Sequence, residues 1–515
     1  MKKNGVQFFF FFLVTLAFYA QQSETNIPIT VKMTGVFEDT YKKTALAFST
    51  KDNEGGVFIG RRYKKGYYIE HFDKNVQLVK KYEFEIDKRH GKIDNAFLSG
   101  DHLCLIESLF NKKDKKIEYF INKTPKDSFI FQRNLLFSIP LDAIKKTVSF
   151  FGMAGINNMD ADANGNFKIS KNQKYIVFTI DIKDKDFETH RIFVFNNALE
   201  KMYETEFKRG IKDKNFKLEN IDIDEKDGTV YLLGKVYAKE HKKKKEGGKY
   251  QFELYKINGN TTKSLVFDSS ERYIGSLTTL MNKDKLFCIG FYSEKNDKRY
   301  KGVAYFEIDH ENMSLLNKMY SPFTKQFILD KYGKEKEKEL KNISFRSAHI
   351  TENNECIVNA EEYFVRAHQL QNQQGSSFNY TYHFRDIVSV KLDSNGALIW
   401  ARNINKKQAD NYNSPYLSYT SVYHDNKSYF FINGSDKIKM ISNDRLQFKG
   451  TNSKKSDFYV ITLDSNGSFD YKKILDDKDS EVSFAAGNGI LNNDQADIIF
   501  QGQRGNKKQI MKVSF

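Results

Sequence analysis

A short apolar run returns eight times along the chain, and it constrains the fold more than any other feature. The copies are Val57-Phe58-Ile59-Gly60, Cys104-Leu105-Ile106-Glu107, Ile176-Val177-Phe178-Thr179, Tyr231-Leu232-Leu233-Gly234, Phe287-Cys288-Ile289-Gly290, Cys356-Ile357-Val358-Asn359, Phe430-Phe431-Ile432-Asn433 and Ile498-Ile499-Phe500-Gln501. Each is rich in β-branched and aromatic residues and bounded by turn residues, which predicts a central strand buried on both faces rather than a helix. An alternating strand follows each run and ends in an Asp or Asn turn, as in IVSVKLDSNG and FYVITLDSNG. In those turns the Asp carboxylate can accept turn amides while Asn-Gly supplies positive φ. A further polar turn precedes the runs, as at Glu225-Lys226-Asp227-Gly228.

Each unit therefore reads strand, turn, apolar strand, loop, alternating strand, turn, strand. Four antiparallel strands repeated radially make the blade of a β-propeller, so the fold class is all-β with eight blades, or seven if the second unit is a distorted insertion. Units are expected to start near 45, 93, 155, 218, 273, 343, 416 and 482. The last copy stops after its third strand at Phe515, and the extended segment 27–37 is predicted to complete that blade and close the ring.

Residues 1–20 pair Lys2 and Lys3 with an apolar run, Phe8 to Phe18, ending at Ala20, the pattern of a Sec signal peptide. The alternative is an uncleaved anchor helix. The expected product is residues 21–515, a single propeller domain that is secreted, periplasmic or at the cell surface. No later stretch approaches the ~20 apolar residues of a membrane span. Cys104, Cys288 and Cys356 each lie inside an apolar run, so they are expected to pack as small hydrophobes rather than form disulfides or bind zinc.

About 62 residues per unit exceed a WD40 blade of ~40 to 45. The excess falls at 134–160, 238–249, 320–342, 365–383 and 434–456, all on the side of the ring where second-to-third-strand loops and inter-blade loops emerge. Loops on a rigid scaffold are where function concentrates. Within 323–341 a short solvated helix broken at Gly333, one that packs over the rim, is predicted, and Lys242 to Lys245 reads as a solvated hairpin tip or else a polyanion contact. His368, Tyr380, Tyr382 and His383 flank or lie in a Gln/Asn/Tyr-rich insertion and are the candidate binding residues.

Asp160, Asp162, Asn164 and Asn166 place oxygen ligands at alternate positions around Gly165, a candidate Ca²⁺ loop as well as a plain Asx-rich turn. The segment resembles the first half of an EF-hand loop, with Lys171 where the twelfth-position acid would stand. No other cofactor is expected. Leu392-Asp-Ser-Asn-Gly-Ala-Leu-Ile-Trp400, and in part LDSNGSFDY, resembles the Asp-Gly-Trp repeat end of quinoprotein dehydrogenase propellers and more loosely the Asp-box of sialidases. That resemblance implies a shared architecture, a secreted bacterial propeller repeat, and no shared chemistry.

Candidate carboxylates for hydrolysis are Glu107, Glu361, Glu362 and Asp386, and no G-x-S-x-G elbow is present. The net charge of +16 comes from 82 Lys and Arg, of which 14 are Arg, against 66 Asp and Glu. A Lys coat of this kind points to diffuse attraction and not to nucleic acid. The expected function is a non-catalytic binding or scaffold module of the bacterial envelope or exterior, a monomer holding glycan or protein on its elaborated face. The alternatives are a polysaccharide hydrolase or lyase with acids at the axial mouth, and a structural subunit of a surface assembly.

Overall fold

The computed structural model describes residues 27–515 except 42–43, 87–90, 145–166, 185, 213–214, 238–249, 269–271, 295–298, 336–339, 373–374, 437, 442–444, 451–455 and 492–495. Residues 1–20, expected as a leader, the candidate calcium ligands Asp160, Asp162, Asn164 and Asn166, and the expected hairpin tip at Lys242 to Lys245 lie outside the described residues. Eight sheets form the ring, each contributing four antiparallel strands counted from the axis outward, with extra strands on two of them. All eight apolar runs are second strands. They pair on both sides within their sheet and face a neighbouring sheet on each face, which is why Val57, Phe58, Ile59, Tyr231, Leu232 and Leu233 have no exposed surface. Outer strands such as Leu78–Glu85 are mostly exposed.

The blades begin with Ala45–Lys51, Gly91–Ser99, Lys168–Ile169, Phe216–Ile223, Tyr273–Asn282, Ile343–Ile350, Tyr419–His424 and Ser483–Phe484. Blade 8 takes its outer strand from the N-terminus: Thr30–Met33 pairs antiparallel with Ser514 to Met511, and Phe37–Glu38 continues along Lys508 and Lys507. The ring is thus an eight-bladed propeller closed by its N-terminal strand. Just past that strand, Asp39 stands between Lys508 (3.0 Å) and Arg61 (3.8 Å) and accepts hydrogen bonds from Tyr68 and Thr44. Burial opposes its charge, but these partners together hold the carboxyl below its usual range, while burial pushes Lys508 down to about 8.

The DSNG turns show what the propeller-repeat motif does here. Asp393 Oδ1 accepts from the amides of Asn395 and Ala397, and Asp464 Oδ1 from those of Asn466 and Ser468, at 2.8 to 2.9 Å. Gly396 and Gly467 take the positive φ the turns need, +84° and +78°. The blade 6 turn lies against Tyr305 of blade 5, and the blade 7 turn against Trp400, whose indole N–H donates to Ser465 O at 3.0 Å. The motif staples one blade to the next.

Five inner strands carry a register shift at the same place, next to Ala47, Asp94, Glu219, Gly275 and Arg346. Opposite three of these bulges the apolar run ends in Gly, because the bulged strand presses into the space of a side chain. At Gly290 an added Cβ would stand 1.9 Å from Ser276 O. Gly290→Ala is therefore expected to cost roughly 1–3 kcal/mol in urea unfolding, since backbone must move. Gly60→Ala meets only the Phe48 ring and should cost less; equal costs would show that the bulge yields as easily as a side chain.

At the far end of the blade 6 inner strand, His349 packs against Tyr423 of blade 7, the rings tilted and 4.5 Å apart. Burial, followed by the charge of Lys171, pushes its imidazole down to about 4. An unfolded His titrates near ~6.5, so between about 6.5 and 4 the unfolded chain binds more protons and stability falls as pH falls. His349→Gln is expected to flatten that part of the melting-temperature profile. An unchanged slope would assign the pH dependence to another group.

The three cysteines are buried thiols, each pushed up to about 12 by burial. Among the described residues no helix is long and apolar enough to cross a membrane.

Candidate functional site

Three of the five insertions converge on blade 6. The first carries the helix Lys325–Tyr332, capped by Thr324, whose side chain accepts from the Phe327 amide at 3.2 Å, and stopped by Gly333 in the left-handed region. This is the helix the sequence predicted, ending at the predicted break. It packs over the rim and buries Phe327 and Asp330. The second insertion, 365–383, is not a loop. It continues the second and third strands into a hairpin, Cys356–Asn372 with Gly375–Leu392, whose 17-residue second strand compares with 10 in the longest of the other blades' second strands. The third, 434–456, leaves blade 7 and adds two short strands to the outer edge of blade 6, Lys439–Ile441 and Arg445–Lys449, the latter parallel to Asn405, Lys406 and Lys407. The insertion expected at 134–160 is in its first part the outer strand of blade 2, Gln132–Pro140.

A cavity of about 520 Å³ lies between the helix, the outer strand of blade 6 and Phe469 of blade 7, away from the axis. Leu329, Ile404, Leu446 and Phe469 give it apolar wall. Its polar groups are tied to one another. Arg402 donates to both carboxylate oxygens of Asp330 (2.5 and 3.3 Å) and to Gly467 O, and Arg445 donates to the carbonyls of Asp330 and Lys331 at the helix C-terminus.

Beneath the cavity two buried charge clusters occupy the base of the hairpin. Glu361, fully buried, accepts from Arg346 Nε (2.9 Å), Lys406 (2.5 Å) and Ser418 (2.7 Å), and Arg346 Nη2 stands in ionic contact at 2.6 Å. On the other face of the strand, Lys331 lies 2.9 Å from both Glu362 and Asp386. Burial works against the Lys331 ammonium, but the two carboxylates outweigh it and raise its pKa; with one cation between two acids, burial leaves Glu362 above the usual carboxylate range. Burial lowers Lys406 despite the opposing pull of Glu361. In blade 2 Glu107 is held by Arg133 through two contacts, 2.9 and 3.0 Å. Each acid named from the sequence for hydrolysis is thus engaged by a cation, and the four do not form an axial pair.

The four candidate binding residues sit on the hairpin but not together. Tyr382 pairs with Val365 and Tyr380 with Ala367, which puts both tyrosines on one face; His383 pairs with Phe364 and His368 with Asn379, on the other. The residues that organise the region, Arg346, Lys331, Lys406, Arg366 and Arg385, were not singled out. A signal for them was present: of the 14 Arg in an otherwise Lys-rich chain, five fall between 346 and 445 (Arg346, Arg366, Arg385, Arg402 and Arg445).

Among the described residues two groups of donors have spacing compatible with a cation. Asp436, Asp457 and Asp476 surround Lys473 at 3.4, 2.8 and 2.9 Å, so an ammonium already fills that site. In blade 3, Asp181, Glu188 and His190 bring ligand atoms within 4.8 Å of one another.

No family model matches the sequence, and no curated protein matches it. Among solved structures the chain is similar to the β-propeller domain of the trilobed protease from Pyrococcus furiosus, described as having an open velcro topology, at 10% identity and a TM-score of 0.35 over 86% of this chain and 98% of that one. It is also similar to prolyl oligopeptidase B from Galerina marginata (9% identity, TM-score 0.39) and to dipeptidyl peptidase 4 from Porphyromonas gingivalis (10% identity, TM-score 0.39). The match covers 90% and 89% of this chain but 56% of each of those two, so the chain spans little more than half their length. The likeness is one of fold. It corrects the expected function: the structures found are propellers of peptidases, and the glycan- or protein-holding scaffold, the polysaccharide hydrolase or lyase and the surface-assembly subunit are set aside.

Proposed function

We propose that this chain takes part in peptide hydrolysis as a substrate-receiving propeller, holding an extended peptide as an added strand on the second strand of blade 6. The free edge of that strand carries the reading. The inner strand Ile343–Ile350 pairs with it only from Cys356 to Glu362, and the amide of Tyr363 is taken by Asn342 O at 2.9 Å. From Phe364 to Asn372 the strand has a partner only in the third strand among the described residues. Nine residues of open backbone amount to about 30 Å of edge, and Val365 through Gln369 are exposed. An edge of this kind binds through main-chain hydrogen bonds and reads sequence through alternate side chains. The ion-paired acids at its base give the hairpin a rigid footing, and bond cleavage is assigned to a separate catalytic part.

The test is N-methyl scanning of a labelled peptide of alternating Thr and Val, followed by fluorescence anisotropy. Strand addition requires that methylation abolish binding at every second residue and be tolerated between. Tolerance at every position would remove the edge as the site.

Export through the leader 1–20 belongs to the same proposal. Protein recovered from the exterior or periplasm is expected to begin at Gln21 on N-terminal sequencing, and an intact Met1 would count against it.

A further inference from the structure

The two faces of the blade 6 hairpin are chemically unlike. Resting on the strand-edge reading above, we propose that the peptide it receives is acidic at every second residue and apolar between. Directly paired residues of an antiparallel ladder share a face. Phe364 pairs with His383, Arg366 with Thr381 and His368 with Asn379, and His383 pairs in turn with Ala409 of the outer strand. Alternation from Ala409 puts Lys407 on this face, and Arg385, at the bulge after Phe384, reaches it through its guanidinium beside Phe364. Phe364 is its centre: the His383 ring stacks on it at 4.6 Å, and the guanidinium carbons of Arg366 and Arg385 lie 5.3 and 5.9 Å from its ring. Burial, then Arg385, Arg366, His368 and Lys407, all lower the His383 pKa, so four basic groups bear on one imidazole. Asp410, the nearby acid on the outer strand, pairs with Tyr382 and so belongs to the opposite face.

Apart from Asp410, that opposite face is aromatic and apolar beyond its base, where the Arg346 guanidinium lies 5.6 Å from the Tyr363 and Phe384 rings. Tyr363 packs on Phe384 at 4.9 Å, and beyond them Val365, Tyr380 and Tyr382 continue toward the tip, with Val365 41% and Tyr380 47% exposed. A strand added beside Phe364 to Asn372 continues the sheet, so its side chains fall alternately on the two faces. Those beside Arg366 meet a guanidinium able to form charge-assisted, bidentate bonds with a carboxylate, and those beside His368 an imidazole able to donate to one. Those beside Val365 and Ala367 meet the tyrosine side, which suits Val, Ile or an aromatic residue.

The full chain is titrated with three labelled, end-blocked octapeptides: Glu and Val alternating, Gln and Val alternating, and four Glu followed by four Val. The alternating Glu/Val peptide is expected to bind at least about tenfold tighter than either of the others at about 50 mM salt, with the advantage shrinking at about 500 mM. Replacing the exposed Arg366 and His368 together by Gln should remove the advantage, bringing the Glu/Val peptide down to the level of the Gln/Val peptide. Equal binding of the Glu/Val and Gln/Val peptides overturns the acidic preference and leaves the edge reading standing. Equal binding of the alternating and block Glu peptides reduces the effect to bulk charge and overturns the periodic pattern. Failure of all three peptides to bind takes the strand-edge reading down as well.

Discussion

Glu361→Gln is expected to destabilise the protein by about 3–5 kcal/mol, the largest loss from any single substitution considered for this chain. The carboxylate has no exposed surface and is the common partner of Arg346 and Lys406, themselves 6% and 1% exposed. Neutralising it leaves two cations side by side in the sheet, with desolvation uncompensated and like charges at close range. It also loosens the seam to blade 7, because Ser418, just before the inner strand of that blade, donates to the same carboxylate. Lys406→Met should cost distinctly less, since it leaves a one-to-one Arg346 and Glu361 pair. A variant with all three positions apolar should recover part of the loss, because a buried ion cluster is no better than a packed apolar one. Urea unfolding of the set decides it. A Glu361→Gln loss below about 1 kcal/mol would mean that solvent reaches the cluster.

Removing residues 27–41 has a larger consequence, since it opens the ring. The deletion leaves Lys507–Ser514 as an unpaired edge and strips Asp39 from Lys508 and Arg61. It also removes Ile27, 4% exposed, from the cluster between blades 7 and 8. An open edge and a buried Lys508 without its carboxylate, Arg61 keeping Glu70 at 3.1 Å, together should give a chain that aggregates on expression. A synthetic peptide of residues 27–41 supplied during refolding is expected to restore monomeric protein. A deleted chain that stays monomeric with unchanged melting temperature would show that the closing strand is dispensable.

The ring was legible because its strongest constraint is local. A strand buried on both faces must be apolar throughout, so Tyr231-Leu232-Leu233 announces itself without knowledge of its neighbours. The closing strand followed from counting, as the last copy lacked a fourth member. The blade 6 annex was not legible, for physical reasons that differ by part. Residues 365–383 are Gln- and Asn-rich and resemble a loop, yet the ladder of the blade below extends into them and fixes their pairing. The destination of 434–456 is a neighbouring blade's outer edge, which no local pattern encodes. The Glu361 cluster joins residues from 346 to 418, each an ordinary surface-type residue in isolation. The expected binding residues His368, Tyr380, Tyr382 and His383 fell on one hairpin, but strand alternation divides them between its two faces. The Lys-rich composition also concealed the local concentration of Arg, which only position along the chain reveals.

Hydrogen–deuterium exchange with and without the alternating Glu/Val peptide tests the account most directly. If an extended peptide adds to the second strand of blade 6, amides within 364–372 that face the free edge slow markedly on binding while those already bonded to the third strand change little. Slowing confined to the cavity strands around Arg402 and Asn405, or to the inner strands around the axis, would contradict the account.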